Sequence, residues 1–380
     1  MIARFDENVR VRRKSTCQAV RGEITHPRRW RIHYVWCLVD DASPQDESIP
    51  MIDVSAMLDL DSDPADRERV ARAIDDACRR VCFFSIVGHG IPAELQERLE
   101  DASHVFFARP DAEKRNIEMA RAGSAWRGWF PLGGELTSGV PDRKEGIYFG
   151  SEHPPDHPRV LDGVALHGRN QFPDDGELRT DVLDWLDALR PVADAVMRAI
   201  ALGLELPAKW FEQHLTHDPT ILFRIFHYPP EPAGAASAAQ WGVGEHTDYG
   251  LLTLLAQDQL GGLEVRALDG SWIDVEPTPG AIVCNLGDML ERLTGGRYRS
   301  TPHRVRNTSG ASRLSFPYFF DPSWDATVPT LPLPATSNQG SHERWDGADV
   351  LAWEGTYGDY LTAKVAKVFP ELFEVTRPRA

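Results

Sequence analysis

The segment Glu245-His246-Thr247-Asp248-Tyr249-Gly250 holds an imidazole and a carboxylate two residues apart. In extended backbone side chains alternate, so His246 and Asp248 point to one face and offer a metal ion two ligands. On its own the pair is unspecific, because in a chain with 13 histidines roughly one His-x-Asp arises by chance. A second histidine, His303 in Ser300-Thr-Pro-His-Arg-Val305, follows in another strand-like segment. Two imidazoles and one carboxylate on one face of an octahedron leave three positions open. That donor set suits non-haem Fe(II) oxygen chemistry, whereas zinc more often takes a closed tetrahedron or keeps a single open position.

Ten residues beyond His303 stands Arg313, with Ser315 on the same strand face. A guanidinium buried among strands is costly without a partner. A carboxylate ligand supplies one, through a bidentate pair that a neighbouring hydroxyl extends. The spacing therefore predicts a metal site and, beside it, a pocket for a dicarboxylate.

Elements must hold these groups in place. Ile49–Val54 reads as a strand and Pro64–Cys82 as a helix, with Asp63 as N-cap, Pro64 at the first helical position and Val70, Ile74 and Ala77 on one stripe. Cys82–Pro92 reads as a buried strand, 93–120 as helical, 121–180 as long ordered loops and 178–216 as one or two helices. From Ile221 the texture changes to short strands punctuated by Gly, Pro and Asp: 221–228, 251–257, 263–267, 272–276, 281–286, 303–307 and 313–320. Such spacing predicts a sandwich or barrel, closed by a helix near 357–368.

Composition narrows the function classes. The net charge of −16 argues against a nucleic-acid partner, which needs a basic face. No apolar run is long enough to cross a bilayer and the first residues lack a secretory signal, so no membrane partner is expected. Five cysteines without a C-x-x-C point to a reducing cytoplasm. The first 39 residues carry nine Lys/Arg against three Asp/Glu. We read 1–48 as a basic, disordered extension, 49–180 as an N-terminal region, 181–216 as linking helices, 217–322 as the core and 323–380 as a C-terminal loop and helix.

The motifs together resemble the isopenicillin N synthase-like family of 2-oxoglutarate/Fe(II)-dependent dioxygenases. The resemblance rests on Ile49-Pro-Met-Ile-Asp53, Phe83-Phe84 with Gly88-His-Gly-Ile-Pro92, Tyr228-Pro-Pro, His246-Thr-Asp248, Asn285-Leu-Gly-Asp288, Ser300-Thr-Pro-His303-Arg-Val and Arg313-Leu-Ser315. It covers the chain from Ile49 onward and implies a mixed α/β, mainly β fold: a double-stranded β-helix (jelly roll) flanked by helices. It further implies that His246, Asp248 and His303 bind Fe(II), and that Arg313, Ser315 and Tyr228 bind 2-oxoglutarate. The implied reaction uses O2, releases succinate and CO2, and oxidises an unactivated C–H of a small metabolite by hydroxylation, desaturation or ring closure. A monomer is implied as well. One departure stands out: Phe226 occupies the position two before the tyrosine, where relatives often carry Asn.

Rival readings remain at this level. Isopenicillin N synthase itself uses no 2-oxoglutarate, the ethylene-forming oxidase of plants uses ascorbate, and both keep an Arg-x-Ser. A non-catalytic metal-binding barrel is the rival from another class. By resemblance the loops after residue 120 lie over the metal, which makes Arg127, Tyr148 and Phe149 candidate substrate contacts, with Phe320 lining the pocket. His89 reads as satisfying backbone at a strand end, and Asn285-Leu-Gly-Asp288 as a structural turn.

Overall fold

The computed structural model describes residues 48–59, 61–137, 139–174, 176–230, 241–333 and 346–370, with Ala19–Arg21 and Val35–Cys37. Met1–Glu47 and Ser48–Ala380 are separate compact units. In the first, Ala19–Arg21 pairs antiparallel with Val35–Cys37. The rest of the expected disordered extension lies outside the described residues.

In the second unit two sheets build the core. The larger has eight strands in the order Met51–Asp53, Phe83–Val87, Ile282–Leu286, Leu252–Gln257, Arg313–Ser323, Pro219–Tyr228, Glu145–Gly150 and Gly128–Phe130. All neighbours run antiparallel except the first two, which are parallel. The smaller has Val243–His246, His303–Val305, Leu263–Arg266 and Trp272–Asp274 in that order. From Pro219 to Ser323 the chain passes back and forth between the two sheets, so the architecture is a jelly roll with helices around it, mixed α/β and mainly β.

The expected strands from Ile221 onward are present within a few residues of the expected bounds. Two readings are corrected. The helix expected over 93–120 ends at Phe107, followed by short turns over Asp111–Lys114, Arg115–Ile117 and Met119–Ala125. Pro110 is the reason, since it offers no amide to the preceding turn and pushes its neighbour out of helical space. The segment expected to be loops contributes Gly128–Phe130 and Glu145–Gly150 to the large sheet. Neither alternates in polarity: Glu145–Gly150 is paired by Pro219–Tyr228 and Gly128–Phe130 by Glu145–Gly150, a non-local cause.

Asp63 does cap the helix Pro64–Arg80, accepting from the Ala65 amide at 2.9 Å. Its buried stripe Val70, Ile74, Ala77 and Cys78 packs against the helix Glu177–Gly203, whose own stripe is Val182, Trp185, Leu189, Val192, Val196 and Ile200. The closing helix, Tyr357–Val368, starts with a capping box between Thr356 and Asp359. Two buried bonds seat it: Tyr357 donates to Asp321, and Tyr360 donates to Asp288 at 2.6 Å. Thr356→Ala removes an N-cap and is expected to lower stability by about 1 kcal/mol, read as a shifted urea midpoint at constant slope.

Candidate active site

His246 and His303 end and begin two adjacent strands of the small sheet and face each other directly in its register. Their ring centroids are 4.2 Å apart. Asp248 follows two residues after His246, past the strand end, and its Oδ1 lies 4.0 Å from His246 Nε2 and 3.8 Å from His303 Nε2. One ligand atom from each of the three lies within 4.8 Å of the others, the only such cluster of metal-ligating side chains among the described residues.

Hydrogen bonds fix which atoms face inward. His246 Nδ1 donates to the Gly244 carbonyl at 2.9 Å, and His303 Nδ1 to the Thr301 carbonyl at 3.1 Å. Each Nε2 is thereby left with its lone pair toward Asp248, the outer arrangement that orients metal-binding imidazoles. Burial, and for His303 also the other imidazole, lowers both histidine pKa values. On Asp248, Oδ2 accepts from Thr253 Oγ1 at 2.5 Å and Asn285 Nδ2 at 2.6 Å, so Oδ1 remains for an ion. Burial opposes ionisation of Asp248, but the imidazoles and these two donors outweigh it and hold the carboxyl below its usual range. The donor set and its outer partners fit a divalent metal.

The turn bearing Asp248 is gripped by a helix N-terminus. The amides of Asp288 and Met289, opening the helix Asp288–Leu293, donate to the carbonyls of Asp248 and Gly250 at 2.8 and 3.0 Å. These are the orphan donors every helix start carries. Asn285-Leu-Gly-Asp288 is thus more than a turn: it supplies Asn285 to the Asp248 carboxylate and the Asp288 amide to the backbone behind it. A Cβ on Gly287 would lie 2.5 Å from the Gly250 carbonyl oxygen. Backbone cannot swing aside as a side chain does, so Gly287→Ala is expected to displace Asp248 and weaken iron binding ~10–100-fold, the usual cost of disturbing a ligand's support. An iron titration followed at a constant thermal midpoint checks this.

Beside this cluster lies a cavity lined from both sheets and by the closing helix. Arg313 is fully buried in its wall. Nε donates to the Gly261 carbonyl at 2.5 Å and one terminal nitrogen to Gln257 Oε1 at 3.1 Å, while Nη1 has no partner. Tyr228 and Ser315 join their hydroxyls at 3.3 Å, and the guanidinium carbon sits 4.8 Å from the Tyr228 ring centre. An unpaired buried donor with two hydroxyls beside it fits a carboxylate.

Strand parity decides what else reaches the cavity. Leu222, Arg224, Phe226 and Tyr228 line it from one strand; Arg313, Ser315, Pro317, Phe319 and Asp321 from the next. Phe320 has the opposite parity and faces away, with Arg190 5.4 Å from its ring centre. Phe149 likewise turns outward and stacks on Phe172 and Phe223. Arg127 is buried elsewhere, donating to the Leu166 carbonyl at 2.7 Å. Tyr148 lies one layer behind the wall, its hydroxyl on Glu135 Oε1 and its ring under Arg224. None of the four expected contacts lines the cavity. Glu135, Lys144, Arg224 and Asp321, unnamed in the sequence reading, do. Period-two parity would have found Arg224 from Tyr228 and Asp321 from Arg313; no local signal marks Glu135 and Lys144. His89 bonds backbone as read, accepting from the Ile91 amide and donating to the Gly280 carbonyl.

Residues 49–175 match the family model described as non-haem dioxygenase in morphine synthesis N-terminal, and residues 219–322 match the 2OG-Fe(II) oxygenase superfamily. A probable iron/ascorbate oxidoreductase of Dictyostelium discoideum is 42% identical over 349 residues, which span 86% of this chain and 96% of the relative. The chain belongs to the 2OG-Fe(II) oxygenase superfamily. This oxygenase is also 36% identical to a homoarginine-6-hydroxylase of Glycine max over 335 residues, 86% of this chain and 98% of that one. Among solved structures it is similar to a full-length Neurospora crassa protein in complex with alpha-KG and thymine, with a TM-score of 0.68, 28% identity and coverage of 85% and 98%. It is an oxidoreductase whose cofactors are Fe(II) and 2-oxoglutarate, with O2 as co-substrate. No helix among the described residues is long and apolar enough to cross a membrane.

Proposed function

We propose that this oxygenase oxidises an unactivated C–H bond of a small metabolite, by hydroxylation, desaturation or ring closure, with release of succinate and CO2. The observation that carries the reading is the buried Arg313, with a free Nη1 beside Ser315 and Tyr228, in the same cavity as the His246–Asp248–His303 cluster. In this reading the two Nε2 atoms and Asp248 Oδ1 hold Fe(II), and Arg313, Ser315 and Tyr228 hold the far carboxylate of 2-oxoglutarate. When bound, the metal supplies O2 activation coupled to decarboxylation of 2-oxoglutarate. The chain's own share is positional. Thr253 and Asn285 keep one carboxylate oxygen turned to the imidazoles, Leu222, Leu255 and Phe319 exclude water, and the closing helix presents Leu361, Val365 and Val368 to the cavity. The relative named for homoarginine hydroxylation supports an amino-acid derivative among the candidate substrates.

A monomer with no nucleic-acid or membrane partner belongs to the same proposal, supported by the −16 net charge. So does a cytoplasmic setting, supported by the free buried thiols Cys78, Cys82 and Cys284. The iron/ascorbate name of one relative favours a second reading, a 2-oxoglutarate-independent oxidase. An anaerobic titration with Fe(II) and then 2-oxoglutarate separates the two. A saturable visible charge-transfer band is expected; bound iron with no band would favour the second reading.

A further inference from the structure

The cavity contains a second buried guanidinium, Arg224, whose charge is supported by the Tyr148 hydroxyl and Glu135, while Glu135 is shared with Lys144. Arg224 is over nine-tenths buried and lies on the cavity-facing side of Pro219–Tyr228, four residues before Tyr228. Tyr228 is directly opposite Arg313 in the sheet register. At ~3.3 Å per residue, Arg224 stands about 13 Å along the strand from the Arg313 end. Its Nε has no hydrogen-bond partner. Its guanidinium carbon lies 3.9 Å from the Tyr148 ring centre and 4.7 Å from that of Phe319. Glu135 accepts from the Tyr148 hydroxyl on Oε1 and meets Lys144 at 2.9 Å on Oε2. Asp321 accepts from the Tyr357 hydroxyl and from the Leu251 amide at 3.2 Å, and burial pushes it up to about 7.

Contact with two aromatic rings, the Tyr148 hydroxyl and a carboxylate shared with Lys144 hold the cation charged, and its Nε is left without a partner. A permanent cation on the wall of a cavity whose two nearby carboxyls are shared with Lys144 and with Tyr357 has capacity for a further anion. We infer that Arg224 binds a carboxylate of the prime substrate, which is then a small organic or amino acid. This rests on the reading of the cavity as an Fe(II)/2-oxoglutarate centre, in which Arg313 is committed to the cosubstrate. Two guanidiniums at separate positions along the cavity serve two different carboxylates. The wall of the same cavity includes Leu222, Phe319, Leu361 and Val365, a lining for a short apolar chain.

The test uses the full chain loaded anaerobically with Fe(II) and saturating 2-oxoglutarate. Hexanoate is the probe and hexanamide its uncharged control, with binding read by calorimetry and 2-oxoglutarate occupancy read separately by the visible band. Hexanoate is expected to bind at least ~10-fold more tightly than hexanamide. Arg224→Gln is expected to weaken hexanoate at least ~10-fold while the 2-oxoglutarate half-saturation stays unchanged, and Arg224→Lys to fall between. Equal binding of acid and amide, no binding of hexanoate, or equal affinity in native and Arg224→Gln chains overturns the assignment. Should Arg224→Gln fail to fold, the acid–amide comparison on the native chain decides alone. Failure of the band in the native chain counts against the cosubstrate reading, whatever calorimetry shows for hexanoate.

Discussion

Asp248→Ala is expected to abolish iron-dependent turnover, lowering it ~10³-fold or more, and to weaken Fe(II) binding beyond what any neighbouring change does. The scale follows from comparison. Removing an outer partner of a ligand, as in Thr253→Val or Asn285→Ala, typically costs ~10–100-fold in metal affinity or activity. Asp248 is the ligand those partners serve, and it is the sole anionic donor of the three. Without it two neutral imidazoles remain, and nothing offsets the charge of a divalent ion in a buried site. The fold should survive, because the turn is held through its backbone by the Asp288 and Met289 amides. Oxygen consumption and an iron titration, alongside an unchanged circular dichroism spectrum, check the prediction. Wild-type iron affinity in Asp248→Ala would sink the metal assignment.

Arg313→Ala is expected to raise the 2-oxoglutarate concentration for half-saturation by roughly 30- to 1000-fold while sparing Fe(II) binding. Truncating one partner of a buried, hydrogen-bonded charge pair costs about 2–4 kcal/mol, and roughly 1.4 kcal/mol is a factor of ten. Arg313→Lys should recover little, since an ammonium cannot reproduce the fork that reaches Gly261, Gln257 and a carboxylate together. The substitution also strands the Gly261 carbonyl and Gln257 Oε1, so thermal stability should be measured in parallel. The charge-transfer band gives the affinity directly. Unchanged 2-oxoglutarate dependence would show the cosubstrate pocket to be elsewhere.

Local chemistry explains how much of this was legible in the chain. Asp63-Pro64 announces a helix because cap and first-turn preferences act within a few residues, and the helix begins there. His246, Asp248 and His303 stand out because two imidazoles and a carboxylate, the first pair two residues apart, form a donor set for a metal. Arg313 and Ser315 share a face by the period-two rule, and both line the cavity. The same rule, applied to Phe320, would have excluded it. Long-range pairing explains what was missed. Glu145–Gly150 is a strand because Pro219–Tyr228 offers it an edge, and Gly128–Phe130 then pairs on its far side; this pairing turns Phe149 away from the cavity and leaves Tyr148 behind Arg224. At Phe226 the structure places Lys144 4.8 Å from the ring centre, tied to Asp142 and Glu135.

By itself, then, the sequence determined the donor types, the strand and helix texture and the family, because each follows from residue identity and short-range periodicity. Only the tertiary structure decided that His246 faces His303 across one rung and that a helix start grips the Asp248 turn. It alone placed a second buried guanidinium in the same cavity as Arg313. Those facts depend on register and packing between segments far apart in the chain, which no local pattern encodes.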